Sequence, residues 1–536
     1  MKLVDIYEQA LTATPDKTAI ICDDQSCTYR ELHENILKYS AALDAVGIKN
    51  GDRVGMLMPN CLEIVYIYFA CFRLGAVAVP SSYYSKTPEI IYEANHCKTK
   101  IYLVHHQLAT VLCGVAERVP SLEAIYVIGT EHESSRQCQH IDQPLTKPDN
   151  SSLAENVFSL FNNVITKYGN RELKIAQVAD DMPAAVFYTS GSTGKPKGVT
   201  HTHASFYHAA KNRCITLGHT TEDKFITTSY LCHGAATTIL LLPMLCAGGT
   251  AVCLSHFSPD YFLKLLLRYQ INFTAASPAQ WQEIIDYINN CDRTLSKNDF
   301  SFMKYATSGG SLVPTHLQKE LEELTGIPLT ASLGMTECGG YMTLAPEDKK
   351  IPGSIGKPIH NTEVCLINNQ GEAVAIGEQG EIMVKSNSIM IGYWNDPTNS
   401  KAAFTAGWFH TGDIGMQDKA GYFYFCGRLK ETIIVDTGNV TPGEVEEVLN
   451  NHPAIRQSII VGVPDKDTEQ AVFAYIQLQN GSQQPTEADL HEYAAANLAD
   501  RKVPKYWSFI KEFPVSGILA KIDRKKLASD ALKSIN

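Results

Sequence analysis

Residues 189–198 read TSGSTGKPKG, between a strand-like run at 184–188 (AAVFY) and a helical pattern that begins near His203. Gly191 and Gly194 lack a Cβ, so their backbone N–H groups can turn toward an anion. Thr189, Ser190, Ser192 and Thr193 bring four hydroxyl donors, and Lys195 and Lys197 add positive charge. The stretch reads as a phosphate cradle. It departs from the G-x-x-x-x-G-K-[ST] loop, because the first glycine of that pattern would fall at Thr189 and Pro196 stands where Ser or Thr should follow Lys195. Gly/Ser composition alone describes a flexible linker; the embedded lysines and the apolar strand ahead of them argue against that.

Outward from this stretch, helical and strand patterns alternate. Residues 29–48 (YRELHENILKYSAALDAVGI) carry a helical period, 52–58 (DRVGMLM) a strand, 62–76 (LEIVYIYFACFRLGA) a second helix and 77–80 (VAVP) a strand. That alternation predicts α/β architecture with largely parallel strands. Residues 131–152 are polar and irregular and read as a surface excursion, since the α/β pattern resumes after them. Beyond about Tyr341 the spacing shortens: VCLINN, GEIMVKS, GYFYFCG and ETIIVD are separated by Gly-, Asp- and Asn-rich turns, the mark of a mainly β section. After Gly427 come a helix (GEVEEVLNNH), two strands (SIIVGVP, AVFAYIQL) and a helix (EADLHEYAAANL), enough for a small α+β domain. The expected division is therefore a large α/β domain with a β-rich part over 1–427 and a small α+β domain over 428–536.

A chain of 536 residues, 44% hydrophobic, can bury large cores, and its net charge of -11 opposes a nucleic-acid partner. Fifteen cysteines occur without a C-x-x-C pair, and several (Cys61, Cys71, Cys246, Cys253) sit in apolar runs, so they read as reduced core thiols of a cytoplasmic protein. Asp5 and Glu8 interrupt the N-terminal stretch where a secretory signal would stay apolar. Residues 234–254 (GAATTILLLPMLCAGGTAVCL) are long enough to span a membrane, but Thr237, Thr238, Pro243 and the Gly248-Gly249 pair predict a buried helix, a turn and a strand.

The 189–198 stretch resembles the signature of the acyl-adenylate-forming superfamily, which includes acyl-CoA synthetases, nonribosomal peptide synthetase adenylation domains and firefly-type luciferases. Further motifs follow in that family's order. Ser308-Gly309-Gly310 is similar to its nucleotide-contacting turn, Gly334-Met335-Thr336-Glu337 to G-x-T-E, and 407–413 (GWFHTGD) to W-x-x-T-G-D. Gly427-Arg428-Leu429-Lys430 resembles the G-R-x-K hinge, and Lys521 the C-terminal catalytic lysine. The resemblance implies ATP, Mg²⁺ and coenzyme A as cofactors, with adenine beside Leu333 and the phosphates at 189–197. Thr336 and Glu337 would offer Mg²⁺ a hydroxyl and a carboxylate. Asp413, expected in a tight turn after Gly412, would accept the ribose hydroxyls, and Arg428 would open the small domain and reach the ribose or phosphate. The small domain would rotate about Lys430. Lys521 would stabilise charge on the α-phosphate. His233 corresponds to a position beside the acid tunnel, and a core histidine bonded to backbone is the alternative. Cys338, Gly339 and Gly340 are expected to leave room for an extended apolar acid.

The chain departs from the family pattern at Leu333, where many relatives carry an aromatic residue, and at Glu431, where Asp is usual. Thr437 replaces a glycine at the entry for the pantetheine arm, and Ala520 precedes the catalytic lysine in place of glycine. No acidic residue stands in YLCHGAA (230–236) to hold an α-amino group, so a simple carboxylate is expected, fatty or otherwise hydrophobic. An acyl carrier protein in place of free coenzyme A is the alternative acceptor, and a non-catalytic nucleotide-binding relative a more distant one. No oligomeric state follows from these residues.

Overall fold

The computed structural model describes residues 3–129, 158–173, 178–189, 196–291, 295–345, 351–435, 438–466, 468–479, 481–516 and 521–535. The 131–152 excursion, Thr437, Ala520 and the cradle residues Ser190, Gly191, Ser192, Thr193, Gly194 and Lys195 lie outside them.

The expected alternation folds as two mainly parallel sheets. In one, the strands run Leu329–Ala331, Tyr305–Ser308, Phe273–Ala276, Lys224–Thr227, Thr250–Cys253 and Thr18–Cys22, all parallel, with Gln25–Thr28 turning back at the edge. In the other, Val77–Pro80, Arg53–Leu57, Ile101–His105 and Ala124–Ile128 are parallel, and Val77–Pro80 is flanked by the hairpin of Pro183–Thr189 and Lys197–Thr202. The helices Tyr29–Ala45 and Leu62–Leu74 fill the space between, and the fully apolar face of the second (Ile64, Val65, Ile67, Tyr68, Phe69, Phe72) explains its unbroken hydrophobic run. Residues 234–254 form a buried helical segment, a left-handed turn at Gly248 and the strand Thr250–Cys253, as their punctuation predicts. Its middle, Thr237–Leu241, is wound as a π-turn, a feature concentrated at functional sites. No helix among the described residues is long and apolar enough to cross a membrane.

The β section is antiparallel: Thr362–Ile367, Gln379–Ser386 and Trp408–Gln417 pair in order, and Phe423–Arg428 joins the last of them. Its core merges with that of the first parallel sheet through Ile382, Val384, Phe409 and Phe423. Residues from Ile433 onward build two cores of their own on the faces of a mostly antiparallel sheet, one around Val445, Ile460 and Ala474, the other around Val463, Phe473 and Leu527. A large and a small domain result. They meet where Thr441 packs on Gly427, and where Arg456 reaches the Asp286 carboxylate at 2.9 Å.

Gly356 is the tightest glycine described. Its φ is +86°, and an added Cβ would lie 2.2 Å from the Leu344 carbonyl carbon. Gly356→Ala is expected to destabilise the protein by about 3 kcal/mol or more, through strain and collision with backbone that cannot move aside. A lowered denaturant midpoint at unchanged slope is the measurement, and an unchanged midpoint would refute the packing described.

Candidate active site

In open α/β sheets ligands gather outside the carboxyl ends of the strands, and the predicted motifs collect there. Ser308 ends its strand in register with Ala276 and Ala331. Its hydroxyl is buried with no hydrogen-bond partner, leaving a donor and acceptor for a ligand. Gly309 lies so close to Ser332 that a Cβ would meet its Oγ at 2.9 Å, whereas Gly310, at φ +87°, faces open space. The Ser308-Gly309-Gly310 turn is thus shaped by one close approach and one left-handed residue, and its outer side is free. These observations fit a nucleotide.

The ends of the cradle are fixed although its tip is not described. Thr189 pairs with Lys197 across the hairpin. The Tyr92 hydroxyl donates to the Pro196 carbonyl at 3.0 Å, and the Tyr188 hydroxyl meets His96 Nδ1 at 2.8 Å. The helix Thr87–Cys97, which carries Tyr92 and His96, therefore braces both strands.

Leu333, Gly334 and Met335 form a short strand paired with Gly340–Leu344. Gly334 is held to glycine by the Gly340 carbonyl, 2.6 Å from where its Cβ would stand. Leu333 is buried in the core and Met335 packs against it, so what Leu333 offers this region is apolar packing. Thr336 and Glu337 occupy the following single turn, Thr336–Cys338.

Two residues that the sequence reading did not single out hold this turn. Burial pushes the His201 imidazole down to about 4, so the ring is neutral, and its Nε2–H donates to the Thr336 carbonyl at 2.7 Å. Tyr393 donates its hydroxyl to Glu337 Oε1 at 3.3 Å and lies under the Lys197 ammonium, 4.6 Å from the ring centroid. Neither has a spacing to announce it, since both reach Glu337 or its neighbour from strands distant in sequence. Burial raises the Glu337 carboxyl above the ordinary range, and its own N–H, Tyr393, Arg428 and Lys197 oppose that. A buried carboxylate beside a hydroxyl residue fits a hard cation.

Asp413 departs from its expected place. It lies inside the strand Trp408–Gln417, directly opposite Arg428, because Gly412 at φ +69° is absorbed within that strand and makes no reversal. Arg428 likewise ends a strand of the large domain's antiparallel sheet, where opening of the small domain was expected. Its Nε lies 3.2 Å from Asp413 Oδ1, the carboxylate buried and the guanidinium half exposed. Lys430 is exposed on the turn Leu429–Glu431, and Glu431 meets Arg524 at 3.3 Å, so the longer side chain at this position has a partner in the small domain. Lys521 lies on the strand Lys521–Ile522, paired with Ser516.

The room expected at Gly339 and Gly340 is absent. A Cβ at Gly339 would stand 2.7 Å from the Ser388 carbonyl and one at Gly340 2.8 Å from Thr238 Oγ1, and both residues have positive φ. They are small because backbone and the 234–247 helical segment press against them. His233 stands at the start of that segment, and burial pushes its imidazole down to about 4, so it is neutral. Its ring Nε2 lies 3.7 Å from the Cys232 sulfur.

The fold is that of a two-domain protein whose predicted motif Ser308-Gly309-Gly310 stands at the carboxyl end of a strand of the large domain. The AMP-binding enzyme model matches residues 7–394, and that of the AMP-binding enzyme C-terminal domain residues 444–517. The chain belongs to the AMP-binding enzyme family. It is 28% identical over 541 residues to a long-chain-fatty-acid–CoA ligase of Bacillus subtilis (strain 168), covering 98% of this chain and 94% of that protein. It is 30% identical over 517 residues to a feruloyl-CoA synthase of an Amycolatopsis species, covering 94% of each. Among solved structures it is similar to an anthranilate CoA ligase in complex with anthranoyl-AMP, with a TM-score of 0.87, 26% identity, and coverage of 100% and 98%. The chain is an AMP-forming acid–thiol ligase, activating an acid as acyl-AMP and transferring it to coenzyme A.

Proposed function

We propose that the acid is a hydrophobic carboxylic acid, that activation uses Mg²⁺, and that the residues gathered around Glu337 carry it. The observation that supports this reading is the charge arrangement around Glu337: Tyr393 donates to it, Lys197 and Arg428 act on it, Arg428 pairs with Asp413, and the Ser308 hydroxyl stands buried without a partner at the carboxyl end of its strand.

ATP lies along this edge, its base beside Leu333, Gly334 and Met335, its ribose on Asp413, and its phosphates on Thr189, Lys197 and the intervening cradle. Glu337 and Thr336 would hold Mg²⁺ through a carboxylate and a hydroxyl, and the ion would supply positive charge beside the phosphates. Arg428, with its Nε on Asp413, has further guanidinium donors for ribose or phosphate. The acid enters past His233, whose neutral ring excludes water without adding charge, and Gly339 and Gly340 shape that side by holding the backbone close. Lys521 stabilises the charge that builds as the carboxylate attacks the α-phosphorus and pyrophosphate leaves. The small domain then turns about Lys430 to admit the thiol. The relatives named above for long-chain fatty acids and for feruloyl groups support an apolar acid body, and the chemistry suits the cytoplasm, where ATP and coenzyme A are available.

The test mixes the protein with ATP, Mg²⁺ and a panel of short, medium, long and aromatic acids, with and without coenzyme A, and follows pyrophosphate and acyl-CoA. Acid-dependent pyrophosphate with acyl-CoA from apolar acids is expected. Acceptance of polar or amino acids alone would refute the acid class, and thioester on a phosphopantetheinyl carrier but not on coenzyme A would replace the acceptor.

A further inference from the structure

Two cysteines that the site above does not use stand side by side on packed helices. Cys214 lies in the last turn of the helix His203–Leu217 and Cys246 in the last turn of Leu242–Ala247, and both are partly exposed. The Cys214 thiol donates to the Pro243 carbonyl at 3.1 Å. Helical side chains lean toward the N-terminus, so Cys246, three residues on, extends over the turn that carries this carbonyl. The thiols meet there: hydrogen bonding from Cys214, with the Lys211 ammonium nearby, holds the Cys246 thiol below its ordinary range against the opposing effect of burial. Another pair, Cys22 and Cys253, is in register on adjacent strands, but both are buried, and burial pushes the Cys253 thiol up to about 12. That pair is closed to an oxidant in solution and poor in thiolate.

The segment that carries Cys246 begins beside His233. Gly234 packs on the Thr336 methyl, where an added Cβ would stand at 3.0 Å, and Thr238 packs on Gly340. Between them and Cys246 lies the π-turn Thr237–Leu241. A π-turn holds one residue more than an α-helical turn, and moving it along a helix shifts one flank relative to the other. A bond between Cys214 and Cys246 would fasten the far flank to His203–Leu217 and remove that freedom.

We propose that Cys214 and Cys246 form a reversible redox site: a hydroperoxide joins them as a disulfide, which pins the 234–247 segment and weakens binding of the acid. The Cys246 thiolate attacks hydrogen peroxide, the O–O bond breaks, and Cys246 becomes a sulfenic acid while hydroxide leaves and takes up the proton that Cys246 gave away. The Cys214 sulfur then attacks the sulfenic sulfur; the S–S bond forms, the S–O bond breaks, and hydroxide departs with the Cys214 proton as a second water. Both thiols are oxidised and one peroxide is reduced, and a dithiol reverses the bond by exchange. The effect on the acid rests on the reading that places it beside His233; the bond itself does not.

The full-length protein is treated with hydrogen peroxide, remaining thiols are blocked with N-ethylmaleimide, and peptides are mapped by mass before and after dithiothreitol. A peptide pair joined through Cys214 and Cys246, released by dithiothreitol, is expected in the parent and absent in Cys214→Ser. The oxidised parent is expected to show a KM for the acid raised about fivefold or more, with kcat and the KM for ATP within about twofold, and to recover after dithiothreitol. Cys214→Ser under the same treatment is expected to keep its acid KM, which separates the bond from oxidation at the exposed Cys113. No joined pair under peroxide that oxidises Cys113 would overturn the proposal, and a joined pair with an unchanged acid KM would overturn the pinning. His233→Ala, assayed reduced, tests the place of the acid by itself: an unchanged acid KM there would refute that placement, while the mass map would still decide the bond.

Discussion

Lys521→Ala is expected to slow acid-dependent pyrophosphate release by about a hundred- to a thousandfold, the usual cost of removing one preorganised charge from a developing anion. The reverse is expected of the second half-reaction: acyl-AMP supplied directly should still pass to coenzyme A within about threefold of the parent rate. The fold gives reason for the split. Lys521 pairs with Ser516 in the hairpin Val515–Ser516 and Lys521–Ile522, which the Asp523 N–H closes onto the Pro514 carbonyl at 2.8 Å. Next to it Arg524 is locked by Glu446 at 2.6 Å and by Glu431 of the turn Leu429–Glu431 at 3.3 Å. Lys521 is thus held by backbone pairing within the small domain, so truncating its side chain is expected to remove a charge without loosening that support. Single-turnover measurement of each half-reaction is the check, and an equal fall in both would refute a role confined to adenylation.

Glu337→Gln is expected to lower kcat/KM for adenylation by about a hundredfold and to raise the Mg²⁺ concentration needed for half-maximal rate. The amide keeps the shape and the Tyr393 contact while removing the charge. Because burial raises this carboxyl, the parent's activity is expected to fall on the acid side at a pH above the ordinary carboxylate range, and that limb should vanish in the variant. The stability effect has the opposite sense. A carboxyl whose pKa is higher folded than unfolded binds its proton more tightly in the folded state, so its stabilising contribution is present at low pH and lost as pH rises through the folded value. At neutral pH the glutamine variant should accordingly be at least as stable as the parent while far less active. A variant that is both inactive and less stable would make Glu337 a structural residue.

The local patterns carried well into the fold. The helices Tyr29–Ala45 and Leu62–Leu74, the 234–254 helix, turn and strand, and the small domain's order of helix, two strands and helix are all where period and punctuation put them. They were legible because each depends on contacts of a few residues along the chain, and on one face being apolar. Gly412 and Asp413 misled for the same reason: a Gly-Asp pair is locally a turn, and only pairing with Gln379–Ser386 and Phe423–Arg428 draws it into a strand. Gly339 and Gly340 misled through side-chain size. A missing Cβ looks like space in a sequence, and only the partners, Ser388 and Thr238, show that it is close packing.

By itself the sequence determined the fold class, the two-domain order and the kind of chemistry, since an anion-binding loop and its companion motifs are contiguous runs whose donors and charges are visible residue by residue. The tertiary structure alone decided what those motifs meet. His201 and Tyr393 hold the Thr336–Glu337 turn from strands distant in the chain, and Arg428 spends one face of its fork on Asp413. Arg213, one cation among many in the sequence, became distinctive only once folding had buried it between Phe225 and Tyr341. The physical reason is that desolvation and long-range hydrogen bonding belong to the packed chain: the cost of an unpaired charge is set by what surrounds it, which no local stretch contains.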